Sequence, residues 1–244
     1  FRIVTGGPAT ECYIDNVYVR KVGSSENLLT NGDFSAEDDG KKWAANSHYF
    51  EYIMYALNRA EQYNVGFMLL ISPHYLTDGM LKEYPEMNPG TRHNNPGYNV
   101  NTEIAREYIE DYLRILIPAV KDFKCIQSIT LANEPHFATS GMKSYYQPLW
   151  EEYLKNKYQT IENLNDAWCE SYTTFEGIAM PEDTSYDTRY YDYVKFNDEQ
   201  FISWYRFMKD IIREYTDIPV NVKLMNSLGE HDHQGIDRRS KMYY

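Results

Sequence analysis

The chain has 244 residues, which is enough for one large or two small domains and for a sizeable hydrophobic core. Its formal net charge of −12 argues against a nucleic acid or an anionic membrane surface as a partner. No apolar run approaches the roughly 20 residues of a membrane-spanning helix. The three cysteines are widely spaced, and they contain no Cys-x-x-Cys pair that would indicate a zinc ribbon.

The first 46 residues differ in pattern from the rest. Residues 1–22 alternate as a β region does, with a turn signal at Gly6-Gly-Pro8. Residues 13–19 resemble the closing strand of β-sandwich carbohydrate-binding modules. Residues 27–34, which end in Asn-Gly-Asp-Phe, resemble the segment found at the boundaries of such modules. We therefore expect residues 1–32 to be the C-terminal strands of an accessory β-sandwich and residues 33–46 to be a charged linker. An ordinary hairpin is the alternative.

A helix and a strand are predicted next. Helical spacing of apolar residues predicts a helix over 47–64, with Ser47 as its N-cap and Asn64 and Gly66 at its end. The continuous apolar run 65–71 predicts a strand that is buried on both faces and ends in Ser72-Pro-His-Tyr75. The apolar stripe of the helix is formed by Phe50, Ile53, Met54, Leu57 and Ala60.

The segment 76–100 is predicted to be a long loop rich in Pro, Gly and Asn. A helix over 101–117 follows, starting at Asn101 and limited by Pro118, with a face formed by Ile104, Tyr108 and Tyr112 beside Ile109, Leu113 and Leu116. The short apolar run 125–132 predicts a buried strand that stops at Asn133-Glu-Pro135. A carboxamide and a carboxylate therefore stand at the carboxyl end of a buried strand, where parallel α/β folds build their active sites.

The remaining pattern predicts three helices and one strand. The helices cover 145–158, 160–171 (capped by Thr160, with Leu164, Ala167 and Trp168 inward) and 192–215, and the strand covers 219–225. Residues 229–244 are polar and have no clear pattern. The alternation of strands and helices indicates a parallel α/β architecture.

A strand that ends in Asn-Glu-Pro resembles the acid/base strand, the fourth, of the retaining glycoside hydrolases with (β/α)8 barrels. Ser72-Pro-His-Tyr75 and Lys82-Glu-Tyr-Pro-Glu86 resemble the end of the third strand and its loop. Residues 153–158 and 161–168, with Leu-Asn-Asp-Ala-Trp, resemble the helical insertion of the β-galactosidases of glycoside hydrolase family 42. The resemblance covers roughly residues 49–226. It implies a TIM barrel, and because a whole barrel needs roughly 250 residues, residues 47–244 are expected to hold an incomplete one with about strands three to five.

The resemblance implies a retaining mechanism with two carboxyl groups, in which Glu134 is the general acid/base. It also implies that Asn133 hydrogen-bonds the sugar 2-hydroxyl. Because His74 and Tyr75 lie at the end of an adjacent strand, we expect them to line the sugar subsite, and Asn226, at the end of strand five, is a weaker binding candidate. The nucleophile would be a Glu at the end of strand seven, and Glu230 comes too early in the barrel order. We therefore expect the nucleophile to lie outside this chain and the isolated chain to be inactive.

No cofactor or metal is expected. Glu230-His-Asp-His233 resembles a metal cluster only superficially, because adjacent side chains point in different directions and no distant third ligand is evident. The expected partner is an oligo- or polysaccharide, since Tyr and Trp suit the apolar faces of sugars, and the full-length parent is a candidate homo-oligomer. A non-catalytic carbohydrate-binding protein and an endo-acting glycanase remain the alternatives. The compartment stays open between a secreted and a cytoplasmic bacterial enzyme.

Overall fold

The computed structural model describes residues 47–76, 78–88, 96–135, 137, 139–181 and 187–223. The predicted β-sandwich strands (1–32), the linker (33–46), Asn226 and the segment Glu230–His233 lie outside these residues. The helices and strands, in chain order, are α1 (Ser47–Gln62), β1 (Phe67–Leu70), α2 (Asp78–Glu83), α3 (Glu103–Val120), β2 (Ile126–Asn133), α4 (Lys143–Tyr158), α5 (Ile161–Trp168), α6 (Thr188–Arg213) and β3 (Val220–Lys223).

The three strands form one parallel sheet in the order β1-β2-β3. Leu69, Ile129 and Val220 lie side by side in the register of the three strands. Helical segments separate consecutive strands. Because the strand order follows the chain order, each crossover leads to the adjacent strand. This sequential order is that of a β/α barrel, whereas a doubly wound sheet reverses its order at a switch point. The predicted partial parallel architecture is therefore observed in this part of the chain.

The prediction that the first strand is buried on both faces is wrong. β1 is shorter than the predicted run and alternates in exposure: Leu69 is 5% exposed, whereas Met68 and Leu70 are 61% and 43% exposed. Successive side chains of a strand point to opposite faces, so one face of β1 is covered and the other is open among the described residues. A continuous apolar run does not distinguish these two situations.

The first two major helices follow the predicted pattern with shifted details. α1 ends at Gln62, and Asn64 adopts a left-handed φ of 53°, which suits the predicted helix end. In α3 the N-cap is Thr102 rather than Asn101, since the Thr102 hydroxyl accepts a hydrogen bond of 3.3 Å from the Ala105 N–H. The helix also continues through Pro118 to Val120.

Packing accounts for the longer α3. Pro118 removes one backbone donor, but Ile117 and Val120 are fully buried, and tertiary packing outweighs local propensity. The buried face is formed by Ile109, Leu113, Leu116, Ile117 and Val120, with Ile104 and Ala105 in the first turn, whereas Tyr108 and Tyr112 are only half-buried. The buried face of α3 is therefore centred on Ile109, Leu113 and Leu116 rather than on Tyr108 and Tyr112.

The helices after β2 also depart from the prediction at their ends. α5 starts after Thr160, whose hydroxyl accepts from the Asn163 N–H at 3.3 Å as predicted, but ends at Trp168 because Cys169 is left-handed with φ of 58°. Ala167 is exposed rather than inward. α6 begins at Thr188, four residues before the predicted start, because the Asp187 side chain caps it by accepting from the Tyr190 N–H at 2.8 Å.

The described part of the segment between β1 and α3 contains more regular structure than the predicted loop. It contains α2 and a 3-10 turn at Pro85–Met87. Its end is fastened to the end of β1, since the Gly97 N–H donates to the His74 carbonyl at 2.8 Å and the Tyr98 hydroxyl donates to the Pro73 carbonyl at 2.7 Å. Tyr98 is fully buried. The backbone around His74 is therefore held in place from the far end of the segment.

Candidate active site

The carboxyl ends of β1 and β2 both bend sharply. Ser72 follows β1 with φ of 26°, and Glu134 follows β2 with φ of 49°. Residues other than glycine seldom adopt positive φ angles. Residues held in such uncommon backbone conformations are concentrated at functional sites. Consecutive strand residues normally point to opposite faces, but the bend at Glu134 lets the side chains of Asn133 and Glu134 reach the same neighbour.

That neighbour is Lys223, the last residue of β3. Its ammonium donates to Asn133 Oδ1 at 2.7 Å and lies 3.3 Å from Glu134 Oε1. The Lys223 and Glu134 side chains are 56% and 43% exposed, so both are accessible to solvent. The Lys223 carbonyl also accepts from the Glu134 N–H at 2.7 Å. Lys223 thus contacts both residues through its side chain and fixes Glu134 through its main chain.

His74 lies beneath Asn133. It is only 4% exposed, and its Nε2 accepts a hydrogen bond of 3.3 Å from the Asn133 backbone N–H. An accepting Nε2 requires a neutral ring with its proton on Nδ1. The structure therefore brings His74 together with Asn133, as a support for the backbone of the strand end. The sequence predicts that His74 lines the sugar subsite, but its burial leaves little of the side chain accessible for that role.

Tyr75 lies at the edge of this group. Its side chain is 78% exposed, and its ring stands edge-on to the His74 ring at 6.2 Å between centroids. A ring with an open face is what a sugar requires for stacking. Of the predicted site residues, the structure brings together His74, Tyr75, Asn133 and Glu134. Asn226 lies outside the described residues.

The segment that carries Glu134 away from the sheet is anchored in the helical part of the molecule. Phe137 is fully buried and stacks on Phe201 at 5.2 Å between ring centroids. Asn197 Oδ1 accepts from both the N–H and the hydroxyl of Thr139, at 3.0 and 2.8 Å. Both Thr139 and Asn197 are fully buried. Two side chains of α6 thereby fix the backbone a few residues beyond Glu134.

A second carboxylate, Asp192, is fully buried among the helices. It accepts hydrogen bonds from Lys157, from the Tyr158 hydroxyl at 2.5 Å and from Trp168 Nε1 at 3.0 Å. Burial, and then the hydrogen bond to Asp192, raise the pKa of Tyr158 above its ordinary value, so this hydroxyl stays protonated and remains a donor. These contacts join α4, α5 and α6, which gives Asp192 a structural role.

Sequence reasoning missed Lys223, Asn197 and Asp192. Lys223 could have been found, because a polar residue at the carboxyl end of the strand next to Asn133 and Glu134 must lie near them in a parallel sheet. Asn197 and Asp192 gave no such signal, since polar residues in an amphipathic helix usually face solvent.

The described residues hold no group of three or more His, Cys, Asp and Glu side chains arranged to bind a metal ion. Nor is any helix in the part of the chain covered by the structure long and apolar enough to cross a membrane. The segment Glu230–His233 falls outside both searches.

Sequentially ordered parallel strands joined by helices, with a carboxylate and a carboxamide at their carboxyl ends, define an α/β protein of the barrel type. The family model for glycoside hydrolase family 42, described as beta-galactosidase, matches residues 43–242. The chain belongs to glycoside hydrolase family 42. The family expected from the Asn-Glu-Pro strand and the helical insertion is thus confirmed.

Curated relatives match over shorter segments. Beta-galactosidase LacZ of Heyndrickxia coagulans is 36% identical over 85 residues, which is 31% of this chain and 13% of LacZ. Beta-galactosidase YesZ of Bacillus subtilis (strain 168) is 36% identical over 83 residues, which is 30% of this chain and 12% of YesZ.

Solved structures support the fold. The family 42 exo-carrageenase of Bacteroides ovatus matches with a TM-score of 0.60 at 23% identity, over 72% of this chain and 26% of that protein. The beta-galactosidase of Rahnella sp. R3 matches with a TM-score of 0.64 at 15% identity, over 82% of this chain and 30% of that protein. The likeness shows a fold that contains a TIM barrel. This chain spans less than a third of the length of either solved protein. The predicted β-sandwich module remains a prediction.

Proposed function

We propose that the full-length protein containing this chain is a retaining β-glycosidase that releases terminal β-linked galactose, with Glu134 as the general acid/base. Membership of family 42 supports the reaction class. The observation that carries the role of Glu134 is its position at the carboxyl end of β2, beside Asn133 and accessible to solvent. The names of the curated relatives support galactose as the sugar.

The proposed reaction is a double displacement. The Glu134 carboxyl proton passes to the glycosidic oxygen while the bond from that oxygen to the anomeric carbon breaks. A carboxylate nucleophile attacks the anomeric carbon from the other face and forms a glycosyl ester. Glu134, now ionised, then takes a proton from water as the water attacks the same carbon and the ester bond breaks. We place the nucleophile on a later strand of the whole barrel.

The neighbours of Glu134 would bind the sugar. Asn133 would hydrogen-bond the 2-hydroxyl, an interaction that strengthens in the transition state. The exposed ring of Tyr75 would stack on the apolar face of the sugar. His74 would hold the backbone of Asn133 through the hydrogen bond to its N–H. Asn226 is kept as a further binding candidate on the segment after β3.

The test is nitrophenol release from an aryl β-galactoside by the full-length protein, its Glu134→Gln and Glu134→Ala variants, and the 244-residue chain. We expect Glu134→Gln to lower kcat/KM by about 10²- to 10⁴-fold toward poorly activated leaving groups. Azide should restore turnover of Glu134→Ala and yield a β-galactosyl azide, because this anion can replace water as the nucleophile that attacks the glycosyl ester and needs no general base. We expect the 244-residue chain to be inactive.

Glu103→Gln is the matched control, because Glu103 is an exposed carboxylate in the first turn of α3. It should keep full activity. Full activity of Glu134→Gln would rule out the assigned role. Sugar binding without hydrolysis by the full-length protein would indicate a non-catalytic carbohydrate-binding protein. Internal cleavage of carrageenan, agarose or mannan would indicate an endo-acting glycanase.

A further inference from the structure

We propose that Lys223 is a positioning residue that fixes the orientation of the Asn133 carboxamide toward the sugar. The inference rests on the proposed function, in which Asn133 binds the sugar 2-hydroxyl. Its basis is the 2.7 Å hydrogen bond from the Lys223 ammonium to Asn133 Oδ1, at the carboxyl ends of neighbouring strands. Lys223 acts on the substrate through Asn133, so it is distinct from the catalytic acid.

An ammonium group determines which end of the carboxamide faces it. It carries three donors and no acceptor, so it can pair only with the oxygen of Asn133. The Nδ2 amino group must then point away from Lys223, which makes Asn133 a donor toward a sugar hydroxyl. Without Lys223 the carboxamide loses the contact that selects this orientation of its oxygen. A charged donor on Oδ1 also polarises the amide and strengthens the hydrogen bonds that Nδ2 donates.

The contacts of the Lys223 side chain with Asn133 and Glu134 contribute little to the free energy of folding. Both Lys223 and Glu134 are more than a third exposed, and ion pairs in such settings are screened by water. The strand pairing does not depend on the Lys223 side chain either, because the Glu134 N–H donates to the Lys223 main-chain carbonyl. Replacing the side chain should therefore change ligand recognition and leave the backbone of the strand ends unchanged.

The experiment compares an aryl β-galactoside with its 2-deoxy analogue on the full-length wild-type protein and on Lys223→Met. The measured quantity is kcat/KM for the galactoside divided by kcat/KM for its 2-deoxy analogue. Differences in folding or active fraction cancel in this ratio. We expect this ratio to fall by about tenfold in Lys223→Met, the size expected for loss of a charge-assisted hydrogen bond in the network. Lys223→Arg keeps donors in a different geometry and should retain part of the ratio.

Lys209→Met is the matched control, because Lys209 is a half-exposed lysine of α6 that pairs with Asp210. It should keep the wild-type ratio. Calorimetric binding of galactose and 2-deoxygalactose to the same variants gives a second readout that does not require turnover, and the same loss of preference is expected there.

The outcomes separate the inference from the proposed function. A lower ratio in Lys223→Met, partly restored in Lys223→Arg, supports the positioning role. A wild-type ratio in Lys223→Met, in an enzyme that hydrolyses galactosides, overturns the inference alone. Equal losses on both substrates in Lys223→Met indicate that Lys223 acts through Glu134 or through the fold rather than through Asn133, and also overturn the inference. A wild-type protein that neither hydrolyses nor binds galactose overturns the proposed function and the inference together.

Discussion

Two regions of the chain are built in opposite ways. The strand-end site (His74, Asn133, Glu134 and Lys223) consists of polar groups, of which Glu134 and Lys223 are open to solvent, on a backbone that turns through a left-handed residue. The aromatic layer consists of the rings of α4, α5 and α6 and is almost entirely buried. Its main members are Trp150, Trp168, Tyr193, Phe196, Phe201 and Trp204.

The aromatic layer is where burial is concentrated. Trp150 is fully buried and contacts the rings of Tyr153, Trp168, Tyr193 and Phe196 at centroid distances of 5.6, 6.2, 6.1 and 5.5 Å. Aromatic side chains contribute large buried areas, and paired rings add further attraction. Apart from the buried His74, the strand-end site offers exposed or half-buried polar contacts, and exposed ion pairs contribute little net free energy. The comparison indicates that the helices supply most of the stability, whereas the strand ends, to which we assign the chemistry, contribute little to it.

The largest effect should follow from Trp150→Ala. Truncating a fully buried Trp removes its ring contacts and leaves a cavity, at a cost of about 3–5 kcal/mol in the free energy of unfolding. Urea unfolding followed by tryptophan fluorescence would measure it, since Trp150, Trp168 and Trp204 all lie in the aromatic layer. The substrate preference of the protein that remains folded should be unchanged.

Tyr52→Ala is the control for this prediction, because it removes an aromatic ring that is exposed on α1. It should change the free energy of unfolding by no more than about 0.5 kcal/mol. A similar loss for both variants would mean that stability is not concentrated in the aromatic layer, and the contrast between the two regions would fail.

A smaller effect is expected from Asn197→Ala, which acts on the junction of the two regions. The substitution leaves the buried N–H and hydroxyl of Thr139 without this acceptor, at a cost of about 1–3 kcal/mol. Because Thr139 anchors the segment after Glu134, kcat of the full-length protein should fall as well. Thr139→Ser keeps both donors and should keep wild-type kcat. Lost stability with unchanged kcat would show that the anchor does not position Glu134.

Sequence patterns predicted the order and type of the long elements. The sheet, α1, α3, α4 and the Thr160 cap follow from hydrophobic spacing and capping residues. The ends of α3 and α6 could not be predicted, because packing of Val120 carries one helix past Pro118 and Asp187 starts the other ahead of its apolar stripe. Exposure of Met68 and Leu70 depends on what covers each face of the sheet, which a local pattern does not contain.

The candidate site likewise contains residues that the sequence predicted and one, Lys223, that it did not. Asn133 and Glu134 were predicted because a strand that stops at Asn-Glu-Pro places them at its carboxyl end, and the structure brings His74 and Tyr75 to the same place. Lys223 lies 90 residues beyond Asn133 in the chain, and only the pairing of β2 with β3 brings them together. The roles of all these residues stay predictions for the experiments above.

The smallest effect concerns an ion pair outside both regions. Arg114 of α3 holds Glu214, at the end of α6, through two hydrogen bonds of 2.6 and 3.1 Å. This hydrogen bonding lowers the pKa of Glu214 below its usual range. A carboxyl group with a lowered pKa in the folded state stabilises the fold above its unfolded pKa of about 4.3, and that contribution is lost as the pH falls through the folded pKa.

Glu214→Gln should therefore lower Tm slightly at pH 7, and the difference from wild type should shrink as the pH falls below about 4. Thermal unfolding at a series of pH values would measure it, with Asp122→Asn as the control for an exposed carboxylate at the longer distance of 3.9 Å from its lysine. Because the pair is exposed and screened by salt, its loss should matter far less than that of Trp150. A Tm difference that stays constant down to acid pH would mean that Glu214 contributes through packing of its side chain rather than through its charge.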